Sequence, residues 1–136
     1  MKRFTILFLT VILMFTFSAC SGTISANDAK QFTSDFLNSV QKGDYTSAQE
    51  FLHPESPADL KAFFEGIAKN ENVDFSNMRI ERYTEFKSSV YNASVAGSTY
   101  SLTIELSLSK KIVEFEFELV KNPRGYGIYK IGIDFD

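Results

Sequence analysis

The sequence predicts an α+β domain in which three helices come first and a curved antiparallel sheet of four to five strands follows. Apolar residues recur at helical spacing up to about residue 70, and at the two-residue spacing of strands after residue 78. The turns between the later segments are short, which favours antiparallel pairing of neighbouring strands. One face of that sheet is apolar, so we expect the helices to cover it.

The first twenty residues have the layout of an export signal. Lys2 and Arg3 give a positive start, an apolar run extends from Phe4 to Phe17, and small residues lead to Cys20, the only cysteine. The apolar run is shorter than the roughly 20 residues that a membrane-spanning helix needs. We therefore interpret residues 1–19 as a signal peptide. An uncleaved signal anchor and a soluble secreted protein are the alternatives.

The segment Phe17-Ser18-Ala19-Cys20 resembles the lipobox of bacterial lipoproteins, with Phe17 where leucine is usual. The resemblance implies cleavage before Cys20 and attachment of a diacylglycerol to its sulfur. It also implies that residues 20–25 are a lipidated cysteine and tether. The membrane would then be a partner through the lipid, and residues 26–136 would form a domain at the cell envelope, outside the cytoplasm.

Charge and composition restrict the partners. Without the signal peptide the chain carries 12 basic and 17 acidic residues, a net charge of −5. This charge argues against nucleic acid as a partner. One histidine, and no cysteine besides Cys20, argue against a metal site. We find no nucleotide fingerprint and no nucleophile elbow, so we expect no cofactor.

Three helices are predicted in the first half. Asn27 or Asp28 is placed as the N-cap of the first, which ends at Lys42-Gly43. Asp44 is placed as the N-cap of a short second helix, which ends before His53-Pro54. The third begins with Ser56 as N-cap and Pro57 at its first position, and it ends near Asn70.

Period-two alternation predicts the strands of the second half. In the first strand, Ile80 and Phe86 are placed on one side and Tyr83 on the other. Turns are predicted at Lys110-Lys111 and at Asn122–Gly125. The strand segments are Met78–Lys87, Tyr91–Val95, Tyr100–Leu108, Val113–Leu119 and Tyr129–Phe135.

The order and length of these elements resemble the NTF2-like superfamily. The phrase Lys42-Gly43-Asp44-Tyr45, with Ala48, is similar to one that is frequent in small exported members, and the closing strand Tyr126–Ile131 is similar to the family's last strand. The resemblance covers residues 26–136. It implies a cone with a cavity between helices and sheet. It implies no single function, because members include isomerases, dehydratases, transport factors and non-catalytic lipoproteins.

Few residues are candidates for chemistry. His53 stands beside Pro54 at a helix end, and Asp44 follows Gly43. We interpret both as structural rather than as acid–base groups, and we predict no catalytic residue. The row Glu114, Glu116 and Glu118 is interpreted as a solvated sheet face, with docking of a basic partner as the alternative.

Tyrosines are the candidate ligand contacts, because their amphipathic rings can line a pocket. Ordinary half-buried sheet aromatics are the alternative. The four selected positions are Tyr45, Tyr83, Tyr100 and Tyr129.

These observations favour a lipid-anchored, non-catalytic domain that binds a small apolar or aromatic ligand, or a partner protein, at the cell envelope. One alternative is an isomerase-like or dehydratase-like enzyme that uses a cavity acid or base. The other is a structural subunit that forms a homodimer through its sheet. The row of glutamates argues against a symmetric dimer through that face, because like charges would meet.

Overall fold

The computed structural model describes residues 23–89 and 96–135, and these residues form an α+β domain. Three helices precede a four-stranded antiparallel sheet in the order β1-β2-β3-β4. The predicted class, helix number and antiparallel pairing are therefore confirmed. The predicted strand at Tyr91–Val95 and the lipobox with Cys20 lie outside the described residues. The elements are α1 (Ala26–Gln41), α2 (Tyr45–Gln49), α3 (Leu60–Glu71), a 3₁₀ turn (Phe75–Asn77), β1 (Arg79–Ser89), β2 (Ser98–Leu108), β3 (Lys111–Asn122) and β4 (Gly125–Phe135).

The first helix begins earlier than predicted. Ser25 is its N-cap, and the Ser25 hydroxyl accepts the backbone N–H of Asp28 at 3.1 Å. The choice of Asn27 or Asp28 as the cap was wrong. Asp28 instead lies in the first turn, where its carboxylate accepts the Ser25 hydroxyl at 2.6 Å. The Ser25 hydroxyl thus satisfies one N–H of the helix end, and the Asp28 carboxylate accepts the proton of that hydroxyl.

The third helix begins later than predicted. Asp59 is its N-cap and accepts the N–H of Ala62, so the placement of Ser56 as cap and Pro57 as first residue was wrong. The Ser56 hydroxyl donates instead to the carbonyl of Tyr129 at 2.9 Å. That contact keeps the segment before α3 on the sheet, and the helix starts only where Asp59 can cap it. No helix of the described residues is long and apolar enough to cross a membrane.

The helices cover one face of the sheet, here called the inner face. Cross-strand pairs on this face join apolar residues of β2 and β3, such as Leu102 with Phe117 and Ile104 with Phe115. The opposite face, here called the outer face, carries Thr103 beside Glu116 and Glu105 beside Glu114. The alternation therefore divides the sheet into a buried and a polar side, as the sequence pattern predicts.

Two irregularities in β1 change the predicted sides of its residues. The pairing with β2 shifts between Ile80 and Arg82, and again between Tyr83 and Glu85. Each shift inserts one extra residue and reverses the alternation, as β-bulges do. Tyr83 therefore faces Ile104 on the inner side, together with Ile80 and Phe86, and its predicted placement on the opposite side from those two was wrong.

The segment that follows α2 lies against the first part of β4. Leu52 pairs in parallel with Ile128. The N–H of His53 donates to the Ile128 carbonyl at 2.9 Å, and the N–H of Ile128 donates to the Phe51 carbonyl at 2.8 Å. These bonds cover part of the β4 edge, which would otherwise present unpaired backbone groups.

Candidate functional site

Phenylalanine rings fill the interior between the helices and the sheet. Four of them are at most 1% exposed: Phe36, Phe64, Phe115 and Phe117. The ring centroids of Phe36 and Phe117 are 5.7 Å apart, those of Phe115 and Phe117 are 5.9 Å apart, and those of Phe64 and Phe115 are 6.2 Å apart. Rings at these separations are in contact, so this part of the inner face is occupied by the protein's own side chains.

An exposed aromatic surface lies on the inner face beside this core. It consists of Tyr83 and Phe86 from β1 and Tyr100 from β2, and we call it the aromatic ledge. The Phe86 ring stacks on Tyr83 with a centroid separation of 6.2 Å, and it lies 6.4 Å from the Tyr100 ring. Phe86 is 44% exposed, whereas Tyr100 is buried. The ledge therefore has an open outer end and a buried inner end.

A lysine of α1 lies over the ledge. The Lys30 ammonium is 4.8 Å from the centroid of Phe86 and 5.2 Å from that of Tyr83. A cation over the face of an aromatic ring is attracted by the ring's quadrupole, typically by about 0.5–1 kcal/mol at exposed sites. Burial of the phenol raises the pKa of Tyr83, so its hydroxyl stays protonated at neutral pH.

The four tyrosines selected from the sequence do not share one surface. Tyr83 and Tyr100 meet through Phe86. Tyr45 instead stacks on Phe64 at 6.1 Å, on the far side of the core. Tyr129 lies at the register shift of β4, and its ring is 6.4 Å from that of His53.

Lys30 and Phe86 were not among the site residues selected from the sequence. Phe86 was assigned to its strand, but the bulges of β1 that bring it beside Tyr83 leave no clear mark in the sequence. Lys30 lies on α1, and the sequence gives no signal of which sheet residues its side chain reaches. The exposure of Phe86 and the edge position of its strand are visible only in the structure.

His53 is buried and belongs to a polar cluster, and it lies three residues beyond the C-cap of α2 rather than at a helix end as predicted. Its Nδ1 accepts the N–H of Glu55 at 3.1 Å, so the proton is on Nε2, which donates to Asn122 Oδ1 at 3.0 Å. The Asn122 amide donates to Glu55 at 3.0 Å, and Arg124 forms an ion pair with the same glutamate. Both ring nitrogens thus have partners: Nδ1 accepts within the α2–α3 segment, and Nε2 joins that segment to Asn122 at the β3–β4 turn.

Asp44 is the N-cap of α2, which confirms that prediction. Its carboxylate accepts the backbone N–H of Ser47 at 3.0 Å and the Ser47 hydroxyl at 2.7 Å. These hydrogen bonds lower the pKa of Asp44 below its ordinary value of 3.8. A carboxylate held in the charged form at an exposed helix end is a weak base.

The outer face is polar, and some of its acidic side chains lie beside basic ones. Arg82 of β1 contacts Glu105 of β2 at 2.7 Å, and Lys130 of β4 lies opposite Glu118 in register. Glu114 lies between Glu105 and Asp134. Within residues 23–89 and 96–135, no group of three or more His, Cys, Asp or Glu side chains could hold a metal ion.

Comparison of the chain with known protein families, with curated proteins and with solved structures found no match.

Proposed function

We propose that this chain is a bacterial lipoprotein with an NTF2-like domain, anchored by lipid on Cys20, and that it binds a partner protein of the cell envelope without catalysis. The observation that carries the binding proposal is the aromatic ledge, where Phe86 is 44% exposed and lies beside Tyr83. Three helices packed on a four-stranded antiparallel sheet are compatible with the cone of that superfamily.

A protein partner suits the ledge better than a small ligand does. Small ligands usually bind in enclosed cavities, but the ledge is an open surface, and phenylalanine rings occupy the inner face beside it. Exposed aromatic rings are typical of the central contacts of protein interfaces, where Tyr, Trp and Phe are enriched. An apolar or aromatic side chain of a partner could pack on Phe86 beneath the Lys30 ammonium.

The acid–base candidates support a non-catalytic role. Asp44 caps a helix at the surface, and both nitrogens of His53 have hydrogen-bond partners within the protein. A general base must instead be within hydrogen-bond reach of a substrate proton and free to accept it.

The binding proposal is tested by substitution on the ledge. The chain offers a matched control in Ile112, which is 45% exposed on another strand, where it lies opposite Ser107. A photoreactive amino acid is placed at position 86 or at position 112 of the full-length chain in bacterial cells. We expect one protein adduct from position 86 and no such adduct from position 112.

The affinity of the captured partner is then measured with purified proteins. Loss of a central aromatic contact typically costs about 2 kcal/mol, so Phe86→Ser should weaken binding about 30-fold and Ile112→Ser should not. Equal crosslinking at the two positions, or equal affinity of the two variants, would refute binding at the ledge.

The anchor is tested separately by metabolic labelling with an alkyne analogue of palmitate. We expect the full-length chain to be labelled and to sediment with membranes, and Cys20→Ser to be unlabelled. An unlabelled wild-type chain would refute the lipoprotein assignment and leave binding at the ledge untouched.

A further inference from the structure

A cavity lies at the other flank of α1, away from the aromatic ledge. It is lined by Thr23, Ile24, Asp28, Lys121 and Tyr126, has a volume of about 250 Å³, and is here called the Tyr126 cavity. Asp28 and Lys30 are two residues apart on the helix, so they point to nearly opposite flanks. None of the residues that line this cavity belongs to the ledge.

The hydroxyl of Tyr126 is the first sign that the cavity takes a ligand. This oxygen is buried and has no hydrogen-bond partner, and it is the one such side-chain atom among the described residues. The ring is held in place by Phe32, with the centroids 4.7 Å apart. Buried polar groups are nearly always hydrogen-bonded, so an exception needs an explanation.

The chemistry of this hydroxyl is that of a donor. Burial, and secondly the negative charge of Asp28, raise the pKa of Tyr126 to about 12. The phenol is therefore protonated throughout the physiological range and has a proton to donate. An anionic oxygen in the cavity would accept it, and such bonds to charged acceptors are stronger than those to neutral ones.

Two residues of opposite charge, Asp28 and Lys121, line the same cavity and do not pair with each other. Neither forms an ion pair with another described residue. Among the described residues, the Asp28 carboxylate accepts one hydrogen bond, from the Ser25 hydroxyl. A ligand that carries both charges would neutralise them together, whereas an anion alone would leave Asp28 facing a like charge.

We propose that the Tyr126 cavity binds the phosphoethanolamine headgroup of a membrane phospholipid. The phosphate accepts hydrogen bonds from the Tyr126 hydroxyl and the Lys121 ammonium, the ammonium of the headgroup contacts the Asp28 carboxylate, and Ile24 packs against the glycerol end. The choice of a lipid as the source rests on the proposed function. Thr23 is three residues from Cys20, so a lipid on that cysteine would hold the cavity within about 10 Å of the chain's membrane attachment.

The test uses the full-length chain purified in detergent and native mass spectrometry, which counts bound lipid molecules. Short-chain phosphatidylethanolamine is compared with phosphatidylglycerol, which has the phosphate but lacks the ammonium, and with free phosphoethanolamine. We expect phosphatidylethanolamine to bind at least tenfold more tightly than either. Equal binding of the two lipids would overturn the role of Asp28, and equal binding of free phosphoethanolamine would overturn the assignment to a membrane lipid.

Substitutions of the residues that line the Tyr126 cavity test whether the lipid binds there. Tyr126→Phe removes only the hydroxyl and should weaken phosphatidylethanolamine binding about tenfold or more, the effect of one lost hydrogen bond to a charged acceptor. Asp28→Asn should abolish the preference over phosphatidylglycerol. Lys121→Gln should weaken the binding of both lipids. The control Lys110→Gln, in the exposed turn between β2 and β3, should bind both lipids as the wild type does. Wild-type affinity in Tyr126→Phe would refute the site.

Two measurements keep this result separate from folding and from the anchor. The thermal midpoint of Tyr126→Phe should equal or exceed that of the wild type, because the variant loses a buried hydroxyl that has no partner. Cys20→Ser should bind the headgroup as the wild type does in detergent. If acylation of Cys20 fails, the proposal of headgroup binding is unaffected. If headgroup binding fails, the proposal of the lipid anchor is unaffected.

Discussion

Replacement of Gly127 by alanine tests the attachment of the α2–α3 segment to the sheet. A Cβ at position 127 would lie 2.5 Å from the His53 nitrogen, 2.6 Å from the Leu52 carbonyl carbon and 2.8 Å from His53 Cα. All three are backbone atoms, so no side-chain rotation can relieve the overlap. The segment must move away from β4.

The cost follows from what that movement breaks. Two backbone hydrogen bonds join the segment to Ile128, at 2.9 Å and 2.8 Å. Each is worth about 0.5–1.5 kcal/mol net, and forcing a methyl group into a packed site costs a further 1–3 kcal/mol or so. We therefore expect Gly127→Ala to lower the free energy of unfolding by about 3 kcal/mol, which lowers the thermal midpoint of a domain of this size by roughly 12 °C.

The matched control is the same substitution at Gly66, in the interior of α3. A Cβ there would meet nothing within 4 Å. Alanine is favoured over glycine in a helix interior by about 1 kcal/mol, so Gly66→Ala should stabilise the domain. Urea unfolding of residues 23–136, followed by circular dichroism, measures both. Equal stability of Gly127→Ala and wild type would show that the close contact of His53 with β4 does not hold the segment, and would refute the reasoning.

Two further substitutions test the polar contacts. Asn122→Ala removes a side-chain amide whose oxygen accepts from His53, Arg124 and Gly125 and whose nitrogen donates to Glu55 and Ala96. We therefore expect the free energy of unfolding, measured in urea, to fall by about 2–4 kcal/mol. The control Asn38→Ala, on the exposed side of α1, should change it little. Asp44 has a pKa below its unfolded value of 3.8, so its stabilising effect is present above pH 3.8 and is lost as the pH falls through the folded pKa. Asp44→Asn should therefore be less stable than wild type at neutral pH, and the difference should shrink in acid; a difference independent of pH would contradict the role of the charge.

The sequence was sufficient to predict the number and type of the helices and the pairing of the strands, but it did not predict the candidate sites. The stripe of Ala29, Phe36 and Val40 and the alternation in β2 and β3 depend on residues close along the chain, and these were predicted correctly. The start of α3 depends on a hydrogen bond from Ser56 to Tyr129, a residue far along the chain. Local preferences cannot detect such a contact, so the predicted cap was wrong.

The same limit applies to the candidate sites. The aromatic ledge depends on two bulges in β1 that turn Tyr83 to the side of Phe86, and bulges depend on the pairing with β2. The Tyr126 cavity depends on a buried hydroxyl that fails to find a partner, which only the packed structure reveals. Tyrosine content drew attention to Tyr83 and Tyr100, but sequence spacing could not show which tyrosines meet.

The first helix explains why two different surfaces are left for binding. Its buried side packs Ala29 and Phe36 into the core, so side chains on its two flanks reach different parts of the inner face. On one flank, Lys30 lies over exposed rings, a surface that suits an apolar side chain of a protein. On the other, Asp28 faces a cavity with an unsatisfied hydroxyl, which suits a small charged group. Because the two surfaces share no residue, we infer that Phe86→Ser leaves lipid binding unchanged and that Tyr126→Phe leaves the protein partner bound.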